Sequence, residues 1–163
     1  MARVLVVGSG CRGAALAGRL SASGHAVRGT TRRPDRVDEL ESLGVEAALA
    51  DPGRLATVTP LLEGVSAMCW LMASATGSPG EVAALHGDRL RSMLDVLVDT
   101  HVRGFVYERA GTVDPESLTK GERIARRAEE DDRIRVAMID APPDDQARWL
   151  DSATRAVDDV LST

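Results

Sequence analysis

Short β-branched segments alternate with longer helical stretches along the whole chain, and this alternation constrains the fold more than any other feature. The predicted strands are Arg3–Val7, Ala26–Gly29, Val45–Leu49, Ala67–Leu71, Gly104–Tyr107 and Arg135–Ile139. The predicted helices are Ala14–Ser21, Arg36–Leu43, Leu55–Leu62, Glu81–Thr100, Glu116–Glu130 and Asp145–Leu161. Strands joined by helices run parallel, because each helix carries the chain back to the same edge of the sheet. We therefore expect a three-layer α/β fold with helices on both faces of a parallel sheet.

Proline and glycine sharpen the predicted boundaries of the helices. Proline suits the first helical position, because its missing amide hydrogen has no partner there, and an oxygen-bearing side chain before it can cap the helix. The segments with this pattern are Pro34, Asp51-Pro52, Ser78-Pro79 and Asp114-Pro115. The glycines between a predicted helix and the next strand, where helices often end in the left-handed conformation, are Gly24, Gly44 and Gly64.

Composition narrows the class of protein. The chain has 163 residues, of which 44% are hydrophobic, and this fits one globular domain over residues 1–163. A formal net charge of −5 with only 2% aromatic residues argues against nucleic-acid binding. No apolar run approaches the roughly 20 residues of a membrane helix, so we expect a cytoplasmic protein with no membrane contact. Cys11 and Cys69 are predicted to be free thiols, and no cluster has the ligand spacing of a metal site.

A G-x-G-x-x-G motif, Gly8-Ser9-Gly10-Cys11-Arg12-Gly13, stands directly after the first predicted strand and opens the first helix. In this position the glycines allow a tight turn, close approach of a pyrophosphate to the backbone, and close contact between helix and strand. The helix N-terminus adds amide donors for the phosphates. We therefore predict a dinucleotide-binding, doubly wound parallel sheet, or Rossmann fold, of six strands in the order 3-2-1-4-5-6. The alternative is a glycine-rich turn kept only for packing.

The segment after the second strand predicts which dinucleotide binds. Sheets that prefer NAD carry an Asp or Glu there, whereas this chain has Thr30-Thr31-Arg32-Arg33. Arg32 or Arg33, beside Thr31 and with help from Arg12, can pair with the 2′-phosphate of NADP. We therefore predict that NADPH is preferred over NADH. The alternative is a solvated arginine pair at the start of a helix.

Two further segments complete the predicted cofactor site. Asp51 and Pro52 follow the third strand, close to the expected adenine ring, and Asp51 can accept a hydrogen bond from the adenine amino group. Asp51 is equally consistent with a cap on the helix that Pro52 is predicted to begin. Met72 and Ala73 follow the fourth strand and are also predicted to contact the cofactor.

These segments together resemble the short-chain dehydrogenase/reductase superfamily, in particular its extended and atypical members, similar to nucleotide-sugar epimerases and NmrA-like proteins. Besides the glycine loop, the Thr30–Arg33 segment and Leu49-Ala50-Asp51, the resemblance rests on three segments. Gly64-Val65-Ser66-Ala67-Met68 is similar to the family's G-V-D-A-V, residues 101–107 are similar to G-V-K-R-F-V-Y, and Ala141-Pro142 stands where R-P is frequent. The resemblance implies an NAD(P)-dependent oxidoreductase or epimerase.

The same resemblance implies a Tyr-x-x-x-Lys pair after strand five, in which the lysine lowers the pKa of the tyrosine. Here Lys120 matches the lysine, but Glu116 replaces the tyrosine, and Thr112 is the candidate hydroxyl beyond the strand. These three are the candidate catalytic residues. Lys120 either bonds the nicotinamide ribose or is one of several surface charges on its helix. Tyr107 is a possible substitute acid, although its place in a strand favours the core.

Three functions remain open from the sequence. The first is an NADP(H)-binding protein without the standard catalytic pair, which acts as a cofactor sensor or binding partner. The second is an active NADPH-dependent reductase or epimerase-like enzyme with unusual acids, and the third is a nucleotide-free Rossmann scaffold. Compared with extended members of the superfamily the chain is short, so we expect no separate substrate lobe. By resemblance, a homodimer is predicted through helices 81–100 and 116–130.

Overall fold

Six parallel strands form one sheet in the computed structural model, which describes residues 2–162. The strands are β1 (Arg3–Val7), β2 (Ala26–Thr31), β3 (Glu46–Leu49), β4 (Ala67–Trp70), β5 (Gly104–Glu108) and β6 (Arg135–Ile139). Their order is β3-β2-β1-β4-β5-β6, and every neighbouring pair is parallel. The predicted fold class and strand order are confirmed, and the order reverses at β1, where the chain leaves toward β2 and later returns to β4.

Helices cover both faces of this sheet. They are α1 (Cys11–Ala22), α2 (Val37–Ser42), α3 (Leu55–Val58), α4 (Pro79–Leu85), α5 (Asp88–Leu97), α6 (Pro115–Asp132) and α7 (Gln146–Leu161). Because side chains alternate along a strand, Leu5 and Val7 pack into the core under α3–α6, whereas Val4 and Val6 pack into the core under α1, α2 and α7. The apolar residues of α5 are buried in the first of these cores.

Two of the predicted proline helix starts carry the expected cap. Ser78 Oγ accepts a hydrogen bond from the Glu81 amide at 3.3 Å, and Asp114 Oδ2 accepts one from the Ser117 amide at 2.9 Å. Pro34 begins a 3₁₀ turn, Pro34–Arg36, that precedes α2. The predicted glycines are also confirmed, since Gly24, Gly44 and Gly64 have φ values of +98°, +81° and +74°.

The expectation that Asp51 caps a helix starting at Pro52 is wrong. Asp51 Oδ1 accepts from the Gly53 amide at 2.9 Å, which makes a local turn, and α3 begins only at Leu55. An aspartate side chain can satisfy its own turn as easily as a helix terminus, so the Asp-Pro pattern does not separate the two. The remainder of the predicted 55–62 helix is a 3₁₀ segment, Thr59–Leu62.

The predicted helix over 81–100 is in fact two helices. α4 ends at Leu85, α5 begins at Asp88, and Gly87 between them has φ −128° and ψ −109°, outside the helical region. His86 at the break is fully buried. The break was invisible in the sequence because both helices place apolar residues against the same core, which keeps the helical spacing across the interruption.

Candidate functional site

The glycine loop joins β1 to α1 at the carboxyl edge of the sheet. Gly8 has φ +98°, a conformation that favours glycine, and its amide donates to Thr30 Oγ1 at 3.2 Å. A Cβ on Gly8 would lie 2.6 Å from the Leu71 carbonyl oxygen, and a Cβ on Gly13 would overlap the Gly8 carbonyl oxygen. Both glycines are therefore required by the packing of the loop itself.

Gly10 differs from the other two motif glycines. A Cβ built on Gly10 would meet no protein atom within 4 Å, so the space beside its backbone is open. Gly10 is also the N-cap of α1, and no side chain caps this helix. The amides of the first turn of a helix have no partner inside the helix, and they carry the positive end of its dipole. The loop thus offers open space and amide donors at one point, which fits a phosphate group.

A cleft with a volume of about 950 Å³ opens at this loop. It is walled by the glycine loop and by the segments that follow β2, β3 and β4, and it continues along α4 to Glu108 and Trp149. Pockets of this size take small molecules and cofactors. Its position at the carboxyl edge, where the strand order reverses, is where doubly wound sheets bind their ligands.

The structure brings the predicted cofactor residues together, with one exception. The lining includes Gly8, Ser9, Gly10, Cys11, Arg12, Gly13, Thr31, Arg32, Arg33, Asp51, Pro52 and Met72. Ala73 is not among the lining residues, and its side chain is fully buried. Its amide nonetheless has a role at the cleft wall, since it donates to Glu108 Oε1 at 3.0 Å.

Three arginines follow β2 within one short segment. Arg32 is exposed in the cleft. Arg33 donates from Nε and Nη2 to the two oxygens of Asp35, at 3.1 and 2.6 Å, and this pair lowers the pKa of Asp35. Arg36 was missed in the sequence, although its spacing from Arg32 and Arg33 gathers three cations in about one turn. Its Nε and Nη2 are buried without a hydrogen-bond partner among residues 2–162, and Glu39 lies 3.3 Å away.

A buried carboxylate forms the opposite wall of the cleft. Glu108, at the end of β5, is 1% exposed, and its Oε2 accepts from Trp149 Nε1 at 2.9 Å. Arg12 Nη2 lies 3.5 Å from the same oxygen. Burial raises the pKa of Glu108, against the opposing effects of Arg12 and the hydrogen bonds. The sequence held one signal for this residue, a charged side chain in an otherwise apolar strand.

Tyr107 and His86 form a second buried polar pair. The Tyr107 hydroxyl lies 2.6 Å from His86 Nδ1, and His86 Nε2 lies 2.8 Å from the Met72 carbonyl oxygen. A carbonyl only accepts, so Nε2 carries the hydrogen and the tyrosine donates to Nδ1. Burial raises the pKa of Tyr107 and lowers that of His86. The prediction that Tyr107 belongs to the core is confirmed.

The three candidate catalytic residues do not line the cleft. Thr112 is exposed, with its amide 3.3 Å from Ser74 Oγ, and Glu116 is exposed in the first turn of α6. Lys120 is exposed further along α6. Its Nζ lies beside Gly87, 3.4 Å from where a Cβ on that glycine would be.

Two other kinds of feature are absent from the described residues. Between Ala2 and Ser162, no group of three or more His, Cys, Asp or Glu residues could hold a metal ion. No helix of the same part of the chain is long and apolar enough to cross a membrane. Cys11 is exposed and Cys69 is buried, and both are free thiols.

Comparison with known families identifies the class of protein. A family model described as NAD(P)H-binding matches residues 8–142, from the glycine loop to the segment after β6. The chain belongs to this NAD(P)H-binding family. The predicted NAD(P)-binding family and the predicted Rossmann fold are confirmed. No curated protein sequence matches the chain.

Solved structures share the fold at low sequence identity. UDP-glucuronic acid 4-epimerase from Bacillus cereus, in complex with NAD, is 14% identical over 83% of this chain and 54% of that chain, with a TM-score of 0.67. Vestitone reductase from alfalfa (Medicago sativa L.) is 21% identical over 85% and 56%, with a TM-score of 0.64. The chain thus spans about half the length of these two proteins. Serine dehydrogenase from Escherichia coli is 20% identical over 95% and 93%, with a TM-score of 0.67.

Proposed function

We propose that this chain, as one nucleotide-binding unit over residues 1–163, binds NADP(H) and works as a cofactor sensor or nucleotide-dependent binding partner. The observation that carries the proposal is the combination at the cleft of an open phosphate position at Gly10 with three cations after β2. The catalytic pair of short-chain dehydrogenases is absent from the lining of the same cleft.

The preference for NADP rests on the charge of the segment after β2. The acidic residue of the Thr30–Arg36 segment, Asp35, accepts from Arg33 through both carboxylate oxygens, at 3.1 and 2.6 Å. Arg32 is exposed in the cleft, and Arg36, whose Nε lies 3.3 Å from Glu39 Oε2, also lines it. A 2′-phosphate supplies charged acceptors for these two guanidinium groups, whereas a ribose hydroxyl supplies no charge. The cations therefore favour NADPH over NADH.

The proposed lack of ordinary reductase activity rests on the acids available. Glu116 replaces the tyrosine, and a carboxylate with a reference pKa of about 4.3 is ionised near neutral pH. Lys120, four residues along the same helix, favours that ionised form further. Tyr107 is committed to His86, and burial raises its pKa. A carbonyl substrate in the cleft would thus find no group poised to donate a proton.

Titration of purified protein with NADPH and NADH, followed by fluorescence, tests the binding proposal. We expect NADPH to bind at least about tenfold more tightly, since a charged hydrogen bond contributes about 1.5–3 kcal/mol. The double variant Arg32→Glu/Arg36→Glu should abolish this preference. Arg91→Glu, on α5 outside the cleft lining, is the matched control and should keep it. Equal affinity for both nucleotides in the unsubstituted protein would contradict the preference.

A turnover assay separates the sensor from an enzyme. NADPH oxidation should stay well below about 1 per second with a panel of aldehydes, ketones and quinones, and Lys120→Ala should not change it. Substrate-dependent oxidation at or above that rate would favour the alternative, an active reductase with unusual acids. Failure to bind either nucleotide would favour a nucleotide-free scaffold.

The homodimer through helices 81–100 and 116–130 remains a proposal. The apolar side chains of α5 are buried within the chain, so such a contact would use the polar outer faces of α5 and α6. Sedimentation velocity over a concentration series, with and without NADPH, is the direct test. A single monomeric species throughout would contradict the dimer.

A further inference from the structure

We propose that Glu108 is a positioning residue that holds the Arg12 guanidinium on the β5 side of the cleft, as the receptor for the dinucleotide phosphate nearer the nicotinamide. This inference rests on the dinucleotide binding proposed above, and it gives the second half of the cleft a specific ligand contact. Three observations carry it: the contacts of Glu108, the state of Arg12, and the place of both in the sheet.

Glu108 connects three separate elements at the inner wall of the cleft. Oε1 accepts from the Ala73 amide in the segment after β4, at 3.0 Å, and Oε2 accepts from Trp149 Nε1 on α7, at 2.9 Å. Arg12 Nη2, from the first turn of α1, lies 3.5 Å from the same Oε2. Because neutral donors hold both carboxylate oxygens, Glu108 is fixed in place, and its charge then fixes Arg12.

These contacts hold Arg12 in place but do not bury its side chain completely. Its guanidinium lies over the Trp149 ring, with Cζ 5.5 Å from the ring centroid, a distance at which the ring attracts a cation. Glu108 is the one acidic group in ion-pair contact with Arg12 among residues 2–162. The side chain remains 29% exposed, and its Nε is buried with no hydrogen-bond partner within the described chain. Arg12 also lines the cleft, so the exposed part of its guanidinium is available to a ligand there.

The strand order places this cation beside the nicotinamide half. A dinucleotide in a doubly wound sheet crosses the crevice where the order reverses, with the adenosine ribose near the end of β2. Arg32 and Arg36 follow β2 on that side of β1, whereas Glu108 ends β5 on the other side. The side chain of Arg12 extends toward Glu108 and Trp149, and so away from the adenosine side. The phosphate that Arg12 contacts is thus not the 2′-phosphate, which is the partner that the sequence suggested for this arginine.

A purely structural role for Glu108 predicts different behaviour. In that case substitution would lower the unfolding temperature and weaken every ligand of the cleft to the same degree. Under the proposal, substitution lowers the affinity for ligands that reach the nicotinamide side and leaves unchanged the affinity for ligands that fill only the adenosine side. NADPH belongs to the first class, and 2′,5′-ADP belongs to the second.

Dissociation constants of NADPH and 2′,5′-ADP, measured by calorimetry on four proteins, test the inference. Arg12→Met should raise the dissociation constant of NADPH about tenfold, since one charge-assisted contact is lost. The dissociation constant of 2′,5′-ADP should change by less than about twofold. Glu108→Gln should likewise weaken the binding of NADPH and not that of 2′,5′-ADP. The double variant should bind NADPH no more weakly than Arg12→Met, because Glu108 acts through Arg12.

Arg19→Met is the matched control. Arg19 also lies on α1 and contacts α7, through an ion pair with Asp151 at 2.7 Å, but it is not among the lining residues of the cleft. It should change neither dissociation constant. If Glu108→Gln fails to fold, Trp149→Phe replaces it, since this variant removes the indole donor and keeps the carboxylate. Trp149→Phe should show the same selectivity for NADPH over 2′,5′-ADP with a smaller loss.

Three outcomes would overturn the inference. They are unchanged NADPH affinity in Arg12→Met, an equal loss of affinity for both ligands, and additive losses in the double variant. Absence of binding of either ligand to the unsubstituted protein is a different result, because it would overturn the proposed function itself and this inference with it.

Discussion

The two sides of the cleft use their polar residues in opposite ways. On the β2–β3 side, the segments Thr30–Arg36 and Ala50–Arg54 present exposed cations and turn residues to the cleft. On the β4–β5 side, His86, Tyr107 and Glu108 are buried. His86 bonds to Tyr107 and to the Met72 carbonyl, and Glu108 accepts from Trp149 and from the Ala73 amide. One side is therefore equipped to receive an anion, whereas the polar groups of the other side are occupied in holding the wall together.

This difference separates binding from chemistry. Proton transfer to a substrate needs a titratable group that reaches the ligand and has a pKa near the working pH. On the β4–β5 side, burial moves the pKa of Tyr107 and of His86 away from neutrality. Buried polar groups that are fully bonded stabilise one arrangement of the core. The cleft thus combines a binding half, beside β2 and β3, with a structural half, beside β4 and β5, whose buried groups act on a ligand through the Arg12 that they hold.

The largest effect that would test this division comes from the glycine loop. Gly13→Ala should destabilise the fold by about 3 kcal/mol or more, because the added Cβ overlaps the Gly8 carbonyl oxygen, which is backbone and cannot move aside. Gly10→Ala should cost about 1 kcal/mol or less, because it meets no protein atom within 4 Å, yet it should weaken NADPH. Chemical denaturation measures the stability of both variants, and nucleotide titration measures the NADPH affinity of Gly10→Ala. Equal destabilisation by both substitutions would contradict the assignment of Gly10 to the ligand.

The next effect concerns the structural half. Tyr107→Phe removes a hydroxyl that donates to His86 Nδ1, so a buried acceptor loses its partner, and we expect a loss of about 1–3 kcal/mol in unfolding free energy. NADPH affinity should stay within about twofold, because Tyr107 is not among the residues that line the cleft. Denaturation and calorimetry on the same preparation check both. A stable variant with impaired NADPH binding would place Tyr107 in the binding half instead.

The contrast between the halves also marks how much could be predicted from the sequence. The glycine loop and the Ser78 and Asp114 caps depend on neighbours within a few residues, so local patterns predict them. The strand order follows from the alternation of strands and helices together with the position of the glycine motif. Glu108 meets Arg12 and Trp149 only after the chain has folded around the sheet. No spacing rule links residues on three different elements, and the buried network was therefore not predictable.

The errors follow the same division. A helix cap was one of two roles that the sequence left open for Asp51, because Asp-Pro suits both a cap and a turn. Only the position of the amide from which Asp51 accepts a hydrogen bond, that of Gly53, distinguishes the cap from the turn. The interruption at His86 was missed because its cause is tertiary, namely a buried ring bonded to Met72 and Tyr107. Arg36 was assigned to a helix start, whereas its side chain extends into the cleft wall.

A change in pH is expected to have a smaller effect on the free energy of unfolding. Burial lowers the pKa of His86, so the unfolded chain binds a proton at a higher pH than the folded chain does. Stability should therefore fall as pH decreases below about 6.5, by at most about 1.4 kcal/mol per pH unit from this group. His86→Gln should be less stable at pH 8 but should lack this component of the acid-side decline. Parallel slopes for the two proteins between pH 7 and pH 5 would contradict the prediction.

The smallest effect leaves the fold unchanged and compares the two cysteines. Cys11 is exposed beside the glycine loop and lines the cleft, whereas Cys69 is buried in β4, where burial raises the pKa of its thiol to about 12. The thiolate is the form that reacts, so iodoacetamide at pH 8 should modify Cys11 and spare Cys69 in the folded protein. Saturating NADPH should slow the modification severalfold, because Cys11 amide and side chain lie where the phosphates are expected. Mass spectrometry of the labelled peptides measures both rates, and Cys11→Ser should abolish labelling of the native protein. Modification of Cys11 at the same rate with and without saturating NADPH would show that the ligand does not cover the start of α1, and the glycine loop would then lose its role in the binding half.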